Sequence, residues 1–378
     1  MPHSHVFLNL NHGLKELYLA TALRTFGLAL VGVFIPAFLI EKGFSLTQTF
    51  LFLTLFYALY TIYAPLTSLI SHRIGVKHTA MISPFLTITY YSFLVFIIDK
   101  FDISFYLIAA IGALGVITYW VPMNSYFAKT SDFEHRSEET AYYDAIPQLA
   151  AIAAPLVGGL IITSFGFNWL FLIASLSILA IIPPLSTSLD YKASLKYPWK
   201  SFIKHKPSPH YLELFFIQGM LMISSVLVYP FYIYTLSQSF EITGIVASLT
   251  ILGMATCAII IGKTADKKDK NTLIKVGGLV SLVAFMLLLL PTTSNLFLYS
   301  LSFLIGLGHT LIAVPLFSLF CNRLDENKTE FMALRDIGLG GGRALTLILA
   351  AFAPLGFKFP IAFIAAAIAS VYFILAKI

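Results

Sequence analysis

FMALRDIGLGGGRALTLILAAFAPL, residues 331–355, decides how this chain is read. The run is apolar and long enough to cross a hydrocarbon core of about 30 Å as a helix. Arg343 sits near its middle, beside four glycines, Gly338, Gly340, Gly341 and Gly342. A guanidinium stays charged, and on translocon scales an Arg at a helix centre costs about +2.5 to +3.5 kcal/mol. An Arg at that depth faces a protein interior or a water-filled cavity rather than lipid. Arg335 and Asp336 stand at the start of the same run.

The rest of the chain has the same character. It is 58% hydrophobic and 11% charged over 378 residues, against about 25% charged for a soluble domain. The net charge of +6 does not indicate nucleic acid, because the basic residues fall in short segments between apolar blocks. The first block, about 17–40, is too long for a signal-peptide core and lacks a small-residue cleavage site after it, so it reads as a retained helix. Cys257 and Cys321 are the only cysteines. Both fall in or at the end of apolar blocks, which gives no disulfide framework. His3 and His5 are too few for a metal site.

Block length and polar breaks give about twelve spans: 17–40, 46–70, 78–99, 103–127, 140–164, 168–186, 211–236, 242–262, 272–292, 294–320, 331–355 and 359–376. One set of loops holds most of the Lys and Arg, among them Arg73, Lys77, Lys129, Arg136, Lys200, Lys267 and Arg323. The opposite set holds only Lys42, Lys100 and Lys358. By the positive-inside rule both termini are expected in the cytoplasm. The basic, Pro-containing stretch 191–210 reads as a cytoplasmic linker between residues 1–190 and 211–378.

Those two parts repeat one another at an offset near 193. Arg24 aligns with Gln218, Pro36 with Pro230, His72-Arg73 with Asp266-Lys267, Gly115 with Gly308, Pro122 with Pro315, and Asp144 with Asp336. Shared order makes chance a poor explanation. Transporters are often built from such repeats, with the site at their interface near the bilayer midplane.

After the second span the sequence reads Ser68-Leu-Ile-Ser-His72-Arg73-Ile-Gly75-Val-Lys77, and the second copy reads Gly262-Lys-Thr-Ala-Asp266-Lys267-Lys-Asp-Lys270. These are similar to the Gly-x-x-x-Asp-Arg-x-Gly-Arg-Lys loop of the major facilitator superfamily. The first copy keeps Arg73, Gly75 and Lys77 but has Ser68 for the Gly and His72 for the Asp; the second keeps Gly262 and Asp266. The resemblance covers nearly the whole chain. It implies an all-α integral membrane protein with about twelve transmembrane helices in two pseudo-symmetric six-helix bundles, and loops that latch the cytoplasmic side closed. Ala154-Pro155-Leu-Val-Gly158-Gly159 resembles the Gly-Pro-x-x-Gly-Gly element of the family's drug–proton antiporters, but Ile111 stands where those proteins carry an Arg in span 4.

The polar groups inside the spans are the candidate site. Arg24 lies about 12 Å into the first span; it either snorkels to the interface or contacts an anion or carboxylate at the cavity wall. Arg343 either pairs with a buried carboxylate or binds substrate. Asp144 and Asp336 suit the positive end of a helix dipole, or form a gate with Arg73, Lys267 or Arg335, or carry protons. His309 is either a hydrogen-bonded packing residue or a proton relay. Tyr119 and Trp120 are candidate cavity aromatics, and Gln218 occupies the counterpart of the Arg24 slot. The glycine run either packs helices closely or bends the helix beside the site.

Together these point to a secondary transporter for a small organic solute, working by alternating access, with proton coupling resting on the buried acids and His309. Expected partners are the solute, protons and the lipid bilayer; a monomer in the plasma (inner) membrane is expected, with no cofactor. A drug or metabolite exporter of the same fold is the alternative. A membrane enzyme is disfavoured, since no Gly-x-Ser-x-Gly or His-Glu-x-x-His pattern occurs, and a receptor leaves the repeat unexplained.

Overall fold

The computed structural model describes residues 12–98, 102–131, 136–187, 190–193, 208–264, 269–290, 294–324 and 328–376. The described residues form helices and no strands. The long helices are α1 (His12–Glu41), α2 (Leu46–Ile74), α3 (Val76–Phe96), α4 (Ile103–Thr130), α5 (Arg136–Ala151 continued by Ala154–Phe165), α6 (Phe167–Ser186), α7 (Pro209–Ser237), α8 (Phe240–Thr264), α9 (Lys270–Leu288), α10 (Asn295–Asn322), α11 (Lys328–Phe352) and α12 (Lys358–Leu375). Eleven helices are apolar and long enough to span a membrane. Helix α11 falls short of that measure because any 18 consecutive residues of it include Arg335, Asp336 and Arg343.

Several helices run past the apolar blocks. Helix α1 starts at His12 rather than near 17, and α2 continues to Ile74 where a loop over 71–77 was expected. Polar end turns carry the helix beyond the hydrocarbon, and a hydropathy reading stops short of them. Gly75 alone joins α2 to α3, at φ +107°. Gly166 alone joins α5 to α6, at φ +84°. Left-handed backbone of this kind favours glycine. Ser45 opens α2 with a reciprocal capping box: its Oγ accepts from the Gln48 N–H, and Gln48 Oε1 accepts from the Ser45 N–H.

The packing repeats with a period of six helices. Helix α1 packs on α5 and α6, as α7 packs on α11 and α12. Helix α4 packs on α2 and α3, as α10 packs on α8 and α9; α3 meets α6 as α9 meets α12. The principal seam between the halves is formed by α2 with α11 and by α5 with α8, a pair of contacts that exchange under the same six-helix shift. The duplication read from scattered matches is therefore a duplication of packing. Most of 191–210 lies outside the described residues; Asp190–Ala193 docks on the α2–α3 turn, with Val76 N–H donating to Tyr191 O and Ala193 N–H to Ser71 O.

Four of the described helices are irregular, each at a proline; in α6 the break at Ala180–Ile181 precedes Pro183. A proline lacks an N–H and its ring pushes away the carbonyl four residues earlier. For Pro36 that residue is Gly32, in a 3₁₀ turn over Gly32–Phe34. For Pro230 it is Val226, in a π-helical turn over Ser224–Val228. For Pro155 it is Ala151, the last residue before α5 breaks. The glycine run of α11, by contrast, is unbroken helix. Gly338 and Gly342 face α7, where added Cβ atoms would meet Leu212 O and Phe216 O, and Gly340 faces Tyr60 and Thr61 of α2. The run thus packs two helices at close range, one in each half, rather than bending its own. At its far end Lys358 donates to the carbonyls of Ala350, Ala351 and Ala353, at 3.4, 2.5 and 3.0 Å.

Candidate functional site

A cavity of about 420 Å³ lies between the halves. The irregular turns of α1 and α7 form part of its wall through Gly32, Val33, Val226 and Leu227. Among the aromatic residues elsewhere on the wall are Tyr57, Tyr60, Tyr90, Tyr91, Trp120 and Tyr143. The charged groups on the wall are Asp144, Arg335, Asp336 and Arg343, with His309 and Gln218 beside them.

Arg343 has no carboxylate within ion-pair distance among the described residues. Its Nη2 lies 2.7 Å from the Met222 Sδ, a weak acceptor. Its guanidinium carbon sits 5.3 Å from the Tyr57 ring centre and 5.6 Å from that of Tyr60. It is 8% exposed. This is a cation held by ring faces, with no anion of its own. His309 is nearby, within electrostatic reach of Arg343. Both of its ring nitrogens are buried without a partner, so it is not the hydrogen-bonded packing residue that was one reading.

Asp336 joins the halves. Its Oδ1 accepts from the Tyr60 hydroxyl at 2.7 Å and lies 3.4 Å from Arg335 Nη1. Its Oδ2 has no partner. Arg335 stacks on Phe317 at 4.8 Å. Asp144 makes no hydrogen bond to any described residue, and its Oδ2 is buried. Of the cations proposed to gate these acids, Arg335 is the one that lies in the cavity among the described residues. Arg73 is exposed. Lys77 is buried and pairs within its own half, 2.8 Å from Glu16. Asp266 and Lys267 lie outside the described residues, and Gly262 is in the last turn of α8.

Arg24 and Tyr119 do not line the cavity, which corrects their expected place. Arg24 is fully buried and turns into the first half. It lies 4.3 Å over the Tyr119 ring and donates through Nη2 to Gly115 O at 3.2 Å. Ring face and carbonyl hold it where a snorkel or a cavity contact was expected, though Nε and Nη1 keep no partner. Tyr119 is occupied by this contact and by Thr21, 3.0 Å from its hydroxyl. Trp120 and Gln218 do reach the wall.

The cavity is covered on both faces. On the face of the basic loops, Arg136 donates to Cys321 O at 2.8 Å, Ser68 to Thr329 O at 3.3 Å, and Phe317 stacks on Phe127 and Tyr143. On the opposite face Tyr234 donates to Glu41 at 2.5 Å, and Phe50 packs on Phe231 and Phe359. Gly159 and Gly244 let α5 and α8 touch there: added Cβ atoms would lie 2.5 Å from Phe240 O and Pro155 O. Tyr57, Tyr60, Met222 and the Glu41–Tyr234 tie went unread in the sequence. The tyrosines are lost among 19, and the tie joins residues 193 positions apart.

Asp190, after α6, accepts from the N–H groups of Lys77, His78 and Tyr191 and caps α3. Position 72 is tied to the linker, with His72 Nδ1 2.6 Å from Ala193 O.

Comparison with known proteins agrees with this architecture. The human organic anion transporter MFSD10 (TETRAN) superposes with TM-score 0.71 at 16% identity, over 96% of this chain and 97% of that one. A bacterial homologue of the iron transporter ferroportin, in an outward-facing state, gives 0.70 at 13% identity, over 97% and 99%. At these identities the likeness is one of fold. No curated protein sequence matches the chain. The sequence profile of the Major Facilitator Superfamily matches residues 17–345. Twelve long helices duplicated six by six, a central cavity at the seam and that match place the chain in the major facilitator superfamily, a family of membrane transporters.

Proposed function

We propose that this protein is a secondary transporter that moves a small organic solute bearing an acidic group by alternating access. The observation that carries the reading is Arg343, a cation on the wall of the central cavity with no carboxylate at ion-pair distance. Desolvating a charge is costly unless it is paired, so a solute anion supplies what the fold leaves out. Tyr57, Tyr60 and Trp120 suit an apolar or aromatic body. The organic anion transporter among the similar folds is consistent with an acidic solute, but the assignment rests on Arg343. The iron of the ferroportin homologue is not carried over, since no three His, Cys, Asp or Glu side chains converge among the described residues.

In this reading residues 1–190 and 211–378 rock about the cavity, exchanging one set of seam contacts for the other. Asp336 is the proton-linked group: separation of α2 from α11 removes its Tyr60 hydrogen bond and leaves the carboxylate to water or a proton. The basic loops and both termini face the cytoplasm of the plasma (inner) membrane, and the working unit is a monomer. The test is uptake of labelled organic acids into liposomes holding the purified protein. Saturable uptake that Arg343→Ala abolishes, with insertion and melting temperature kept, supports the reading. Unchanged uptake by that variant removes Arg343 from the site.

A further inference from the structure

We propose that the transported solute is dipolar: Arg343 and His309 hold its acidic group, and Asp144 holds a cationic group at its other end. This rests on the cavity being the transport site. The argument is one of charge. Among the described residues the wall carries two carboxylates, Asp144 and Asp336, and two guanidiniums, Arg335 and Arg343. Arg335 and Asp336 lie 3.4 Å apart, and Tyr60 completes that pair. One anion and one cation remain, both without a partner of opposite charge at contact distance. A monoanion satisfies Arg343 but leaves Asp144 with no cation except the remoter Arg335, which Asp336 already engages, and brings a second negative charge into the same cavity. A solute with both charges satisfies both groups and leaves the filled cavity neutral.

Geometry adds a length. Asp144 is the repeat counterpart of Asp336, and Asp336 lies seven residues before Arg343. The repeat therefore sets the backbones that carry the two poles about 10 Å apart along the helix axes. An offset of that size suits a compact body with its charges at opposite ends. The ring-rich wall suits an apolar or aromatic middle. The two nitrogens of His309 without partners add a donor beside Arg343 for the acidic end.

Three probes separate the possibilities: an arylpropanoate with a para-aminomethyl group, its para-ethyl isostere without the ammonium, and a para-propylbenzylamine without the carboxylate. Binding to the purified full-length protein is followed by calorimetry and by melting temperature. The dipolar probe is expected to bind about tenfold or more tightly than the isostere, as a charged contact is worth. Asp144→Asn should bring that ratio to near parity without weakening the isostere, and Asp144→Glu should keep the preference, which a merely structural role for Asp144 does not produce. Arg343→Gln should weaken both acids alike. Equal binding of the two acids by the unmodified protein, or an unchanged ratio in a folded Asp144→Asn variant, overturns the dipolar proposal and leaves the acidic-solute reading standing. So does isostere binding as tight as that of the dipolar probe with uptake of one proton. If neither acid binds, or the benzylamine binds as well as they do and Arg343→Gln changes nothing, both fall.

Discussion

Arg343 and Arg24 are the same residue type inside apolar spans, and the structure separates them. Arg24 spends its charge on Tyr119 and the Gly115 carbonyl inside one half. Arg343 faces the seam with ring faces and a thioether as neighbours. Arg343→Lys should therefore reduce transport about tenfold or more despite the retained charge, because a planar fork and an ammonium are not interchangeable at a stacked site; initial uptake rates at matched protein levels measure this. Asp336→Asn keeps an acceptor for Tyr60 and so should keep the fold, while gradient-driven uptake falls and solute exchange between equal pools persists. Unimpaired gradient-driven uptake would remove Asp336 from coupling. At this scale the sequence was a partial guide. It marked the costly residues, because hydropathy exposes them. It did not show which way Arg24 turns, because that depends on Tyr119, three helices further along the chain.

At the scale of the element, the informative positions are those where backbones touch. The Pro155–Gly159 stretch looked like an antiporter signature; in the fold it is the surface on which α5 meets α8. Gly159→Val places a branched side chain where even a Cβ would lie 2.5 Å from Phe240 O. It should pry the face opposite the basic loops open. A cysteine at Ser225, on the cavity wall, in a background with Cys257→Ser and Cys321→Ser, should then react several-fold faster with an impermeant maleimide from that face. The irregular turns of α1 and α7 were legible in part. Pro36 and Pro230 were matched as counterparts, but whether a proline yields a 3₁₀ or a π turn depends on neighbours such as Ala362, whose carbonyl accepts from Ser224. The glycine run of α11 misled in its sharper reading, because glycine lowers helix propensity and equally permits close packing, and local sequence does not say which effect wins.

For the whole molecule, duplication was the most legible property, since a repeat leaves matches throughout the chain. The covers over the cavity were not legible, since they join residues far apart. Arg136 bonded to Cys321 O ties α5 to α10 on the basic face, and Cys257 packs beneath with Ala141 and Val314. Arg136→Ala should loosen that cover, so that Cys257 in a Cys321→Ser background is alkylated several-fold faster; an unchanged rate would mean the stacked rings around Phe317 hold the face shut alone. One further property follows from Lys358. Its ammonium bolts the end of α11 far from the basic loops to α12, whereas the end on the basic face meets α2 through the Ser68–Thr329 contact. A rod pinned at Ala351 swings least near the pin. Arg343 is eight residues from it and Thr329 twenty-two, lever arms of about 12 and 33 Å. In the proposed cycle, the mouth on the basic face opens widest while Arg343 is displaced least.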